Sequence, residues 1–104
     1  MTNNMKILEK IQVGGQVLKT EICEELGGKL GKCCVFNGYI KIASNIDGTS
    51  QTESSMFNTY IHEVTHAILD TMGRSDLSGD ETFVSSFAGF ATEALCSLFN
   101  DKNK

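Results

Sequence analysis

Proline is absent from this chain of 104 residues, and no repeat or low-complexity linker divides it. At this length one domain, spanning 1–104, is expected. Basic runs are missing too, and the net charge is −4, which argues against binding to a phosphate backbone. No stretch approaches the roughly 18 apolar residues of a membrane span, and Met1–Lys6 has no apolar core of the signal-peptide kind. Neither a nucleic-acid nor a membrane partner is expected, and a cytoplasmic setting is the default. The four cysteines, Cys23, Cys33, Cys34 and Cys96, never fall in a C-x-x-C spacing, which excludes a zinc-ribbon pattern. Reduced thiols, mostly buried, are the expectation. Histidine occurs only twice. Hydrophobic residues make up 40% and charged residues 21%, the balance of a chain that folds.

The first half reads as β-structure. Met5–Val13 and Gln16–Cys23 flank Gly14-Gly15, a favoured two-residue hairpin turn. Cys33–Phe36 and Tyr39–Ala43 flank Asn37-Gly38, a second hairpin signal. Ile40 and Ile42 alternate with Lys41, the pattern of a strand with one buried face. Gly27, Gly28 and Gly31 break the chain between the two pairs, and Ser44–Thr52 is polar and loop-like.

The second half reads as two helices. Phe57, Tyr60, Ile61, Val64, Ile68 and Met72 recur at helical spacing over 53–72, and Gly73 is a natural stop. Glu53 completes a capping box with Ser50 or serves as a plain first-turn acid. Arg74–Ser78 is a short link, so the next helix, 79–100, should return antiparallel. Its stripe of Phe83, Phe87, Phe90, Ala91, Ala94, Leu95 and Leu98 is expected to pack into the core. The fold class is therefore α+β: a small N-terminal antiparallel sheet of two hairpins (5–43) packed on a C-terminal antiparallel pair of helices.

Both histidines lie in His62-Glu63-Val64-Thr65-His66, an H-E-x-x-H segment inside the first helix. Residues four apart on a helix project from one face, so both imidazoles can hold one Zn²⁺. Glu63 stands beside the ion rather than on it, where it can take a proton from an activated water. A catalytic zinc site needs a third protein ligand and an open position. No third histidine exists, so an acid or a thiolate must serve. Glu81 is the first choice, although Ser78 and Glu81 also match a capping box that would use the carboxylate at the helix start. Asp76, Asp80 and Cys96 are weaker substitutes. Simple antiparallel pairing would set Ser85 or Ser86 opposite His66, so bringing Glu81 there requires the link to shift the second helix, or the first helix to end near Asp70.

His62–Asp70 resembles the active-site helix of gluzincin-type zinc metallopeptidases, and Glu81-Thr82-Phe83-Val84-Ser85-Ser86-Phe87 resembles their second helix. The order of elements is similar to short metallopeptidase-like proteins of phages and prophages, and to the peptidase half of ImmA-type proteins. That resemblance implies a minimal zincin-like domain, with His62, His66 and Glu81 as zinc ligands and Glu63 as general base in peptide-bond hydrolysis. Ser85 stands where the family often carries an aspartate supporting a ligand histidine. A peptide or protein substrate is implied, and Tyr39–Ala43 would pair with it if that strand were a free edge. Tyr39, Tyr60 and Arg74 are the available donors to a developing oxyanion. The alternative is a non-catalytic zinc-binding regulatory or protein-interaction domain.

Overall fold

The computed structural model describes residues 6–100, and the elements run β1 (Lys10–Val13), β2 (Gln16–Cys23), β3 (Gly31–Cys34), β4 (Tyr39–Ala43), β5 (Asn45–Ile46), β6 (Thr49–Ser50), α1 (Glu53–Thr71), α2 (Ser75–Ser78) and α3 (Glu81–Asn100). The α+β class follows from this order. Both hairpins form, the first with the expected turn and the second with a different one. In the first, Val13 pairs with Gln16 across Gly14-Gly15, whose φ values of 59° and 86° suit the twist of a two-residue turn. Its strand starts only at Lys10; Met5 lies outside the described residues. The second hairpin closes with a four-residue loop, because Cys34 pairs with Tyr39 and Gly38 N–H donates to Val35 C=O at 3.1 Å. Only Gly38 of that loop takes a positive φ, 72°, so Asn37-Gly38 does not make the two-residue turn.

The sheet is mixed rather than antiparallel. Its order is β1-β2-β4-β3, with β2 and β4 parallel and the other two pairs antiparallel. β4 takes the interior place because it is the strand most able to be enclosed: Ile40, Ile42 and Ala43 are fully buried. Tyr39–Ala43 is therefore no free edge. The edge beside α1 is β3. The segment expected to be loop contains the small β5–β6 hairpin, turned by Asp47 and Gly48, both at positive φ.

Helix α1 crosses the sheet. Thr52 caps it, its hydroxyl accepting from Ser55 N–H at 3.0 Å, so Glu53 is a first-turn acid and the Ser50 capping box is not formed. At the other end Gly73, at φ 78°, lets Gly73 N–H and Arg74 N–H reach back to Asp70 and Leu69 carbonyls, a Schellman stop. Phe57, Tyr60 and Ala67 of α1 meet Val13, Leu18, Ile40 and Ile42 of the sheet in one core. The Gly14 turn rests against Thr71 at the helix end.

The clearest departure concerns α3. Val84 and Ala88 are buried along α1, with Ala91 and Leu95 half-buried, but Phe83, Phe87, Phe90 and Leu98 are 37%, 51%, 73% and 72% exposed. The apolar arc of α3 is wider than the contact it makes. By length and composition, Glu81–Phe99 is also apolar enough to cross a membrane, contrary to the sequence expectation.

Candidate metal centre

Three residues converge where α1 meets the start of α3. His62 Nε2 lies 3.1 Å from Glu81 Oε1, and His66 Nε2 lies 3.0 Å from Glu81 Oε2. The two rings stand edge to face with centroids 5.0 Å apart. One donor atom from each residue falls within 4.8 Å of the others. Three ligands held at about 2.0–2.1 Å in a tetrahedral arrangement stand a little over 3 Å apart, so this spacing suits a single small cation. Two imidazoles and one carboxylate are also a donor set that zinc uses.

The offset that this convergence requires is supplied by α2. The chain leaves α1 at Gly73, makes the single turn Ser75–Ser78, and begins α3 with Glu81 opposite both histidines. Asp80 caps α3, accepting from Phe83 N–H at 3.1 Å. Ser78 is buried and its Oγ lies 3.0 Å from His66 Nδ1. The Ser78–Glu81 capping box is thus replaced by two separate roles, Glu81 on the histidines and Ser78 behind one of them. A hydroxyl on Nδ1 leaves Nε2 facing Glu81. The weaker ligand candidates are engaged elsewhere: Asp76 pairs with Arg74, Asp80 caps, and Cys96 packs on the core.

Glu63 lies one position further round α1, on the stripe of Phe57, Tyr60 and Ala67 that faces the sheet, and is only 6% exposed. Burial pushes its carboxyl above the usual carboxylate range, against the opposing pull of His66 and a hydrogen bond from Cys33. The Cys33 thiol is itself pushed up to about 12, by burial and then by the Glu63 charge, so it stays protonated beside that carboxylate. Room for Glu63 comes from Gly31 on β3. A Cβ there would meet Thr59 Cγ2 at 2.7 Å, Lys41 O at 3.0 Å and Glu63 Cγ at 3.2 Å. Thr59 is stiff at χ1 and Lys41 O is backbone, so neither yields readily. Gly31→Ala is expected to cost about 1–3 kcal/mol of stability, measured by denaturant unfolding, because overpacking strains both strand and helix. All four cysteines are free and half-buried rather than fully buried.

His62, His66, Glu81, Glu63, Cys33 and Gly31 line one cleft of about 760 Å³, between β3 with its preceding loop and the middle and later turns of α1 with the start of α3. Gly31, Lys32 and Cys33 form one wall; Asn58, Thr59, His62, Glu63 and His66 form the other. None of the three suggested oxyanion donors lines it. Tyr60 is buried against Phe57, Arg74 is held by Asp76, and Tyr39 stacks under Lys41 Nζ at 4.8 Å. Asn58 is the uncharged side-chain amide in the cleft. Its position was available from sequence, one helical turn before His62 on the same face. No protein-family model, curated protein or solved structure matches the chain.

Proposed function

We propose that this chain is a minimal zincin-like, zinc-dependent metallopeptidase, in which His62, His66 and Glu81 hold the ion and Glu63 is the general base. The observation that carries this reading is the joint placement of four side chains: three donors that meet at one point, and a buried carboxylate beside them that does not join them. A purely structural site has no use for that fourth group. A bound zinc ion would polarise a peptide carbonyl and make a neighbouring water acidic. Glu63 takes the proton from that water and returns it to the leaving amine. Its low exposure, between Gly31 of β3 and its own helix, holds the carboxylate in one place while this happens. The edge strand β3 offers main-chain groups to an extended peptide laid along the cleft, which favours a peptide over a compact small molecule. Asn58 supplies a hydrogen-bond donor on the opposite wall for the developing oxyanion.

The test is a peptide-library digestion by purified protein loaded with zinc, with a chelated control. Cleavage that vanishes with chelator and returns with zinc supports the enzyme. Stoichiometric zinc without cleavage of any peptide would leave the non-catalytic metal domain instead. Ser78→Ala is expected to weaken zinc binding about 10- to 100-fold, because His66 loses the partner that orients its ring. Competition against a chromophoric chelator measures this, and Ser78→Thr, which keeps the hydroxyl, should restore most of the affinity. Wild-type affinity in Ser78→Ala would show that the 3.0 Å contact does not position His66.

A further inference from the structure

The exposed aromatic stripe of α3 is the largest feature that the metal centre leaves unexplained. Phe83, Phe87, Phe90, Ala94 and Leu98 recur at steps of four, three, four and four residues, which places them on one side of the helix. Phe83 and Phe87 already stack, with centroids 6.2 Å apart and planes at 17°, so the seam has an ordered end. We propose that this seam is the interface of a twofold homodimer in which α3 packs antiparallel against α3 of a second copy.

Three observations select a second copy over other occupants. The first is self-complementarity. With the twofold axis beside Phe90, Phe87 meets Ala94 of the other copy and Phe83 meets Leu98. Each of these two rings then faces a smaller aliphatic side chain, which fills space without collision. The second is charge. Within α3 only Glu81 and Glu93 are charged and no lysine or arginine is present, so the helix offers nothing to lipid headgroup phosphates or to an acidic partner. Crossing a membrane is disfavoured as well. Glu93 would lie near the middle of the span, and Val84 and Ala88 would have to leave α1. The third is area. At their observed exposures the four large side chains leave on the order of 400 Å² of apolar surface free. Doubled in a symmetric pair and joined by flanking atoms, this reaches roughly 1,000 Å², the lower end for a specific interface. A dimer with a dissociation constant in the micromolar range is the expected result.

Sedimentation equilibrium on the zinc-loaded full chain, from about 1 to 200 μM, reads this directly. The apparent mass should rise with concentration toward twice the 11.3 kDa of one chain. Phe87→Glu should raise the dissociation constant more than about 100-fold, since the change enters the interface twice. Its circular dichroism and zinc affinity should stay as in the parent, because Phe87 is half-exposed, is not one of the converging donors and does not line the cleft. Phe90→Ser is the milder second variant and should weaken pairing about tenfold or more. A monomer at 200 μM, or a dimer that survives both Phe87→Glu and Phe90→Ser, would overturn the assignment. Flotation of the parent with phosphatidylcholine or phosphatidylglycerol vesicles, lost in Phe87→Glu, would also overturn it, in favour of a lipid surface.

Discussion

Glu63→Gln is expected to leave zinc affinity within about threefold of the parent and to lower peptide cleavage by about 10²- to 10⁴-fold, the usual worth of a positioned general base. The substitution keeps the shape of the side chain and an acceptor oxygen, and it removes the charge and the ability to carry a proton. Because Glu63 is not among the converging donors, the substitution leaves the ligand set itself intact. Paired metal titration and initial-rate measurements on the two proteins decide the matter. Undiminished cleavage by Glu63→Gln would remove the base from the mechanism, whatever the metal content.

The site was more legible in the sequence than the sheet that supports it. His62, Glu63 and His66 fall within five consecutive positions on one helix, so local geometry alone sets the two imidazoles on a common face and Glu63 beside them. Glu81 required one step of long-range inference, and its alternative use as a cap was equally consistent with the local pattern. What separates the two uses is the turn Ser75–Ser78, too short to leave a periodic signal. The parallel pairing of β2 with β4 left no trace either. Adjacent hairpins announce their own pairing through turn residues, but which two hairpin strands then meet is decided by burial: the strand carrying Ile40, Ile42 and Ala43 moves inside and Gly31–Cys34 becomes the edge. Gly31 illustrates the difference. As sequence it is a break between strands; in the fold it is the place where β3 comes close enough to α1 to cover Glu63. The stripe of α3 misled for a related reason. Helical spacing shows that Phe83, Phe87 and Phe90 share a side, but it says nothing of whether that side has a neighbour within the same chain.

Glu81→Ala should abolish the stabilisation that zinc gives while barely changing the metal-free protein. In the parent, zinc at about 100 times its dissociation constant adds about 2.7 kcal/mol to the folded state. For a domain of this size that corresponds to a rise in Tm of roughly 10–20 °C. Without metal, Glu81 contributes little. Its side chain is 66% exposed, so its contacts with His62 and His66 count as surface pairs of about 0–1 kcal/mol. The same contacts therefore predict opposite outcomes under the two roles open to this residue. If Glu81 only braces the helix pair, its removal lowers Tm slightly and equally with and without zinc. If it completes the metal site, the loss appears only in the presence of zinc, as the disappearance of the whole shift. Calorimetry of parent and variant, each with zinc and with chelator, separates the two. A parent whose Tm ignores zinc, or a Glu81→Ala protein that gains the full shift, would leave the two histidines without a metal-binding role and remove the basis for the hydrolytic reading.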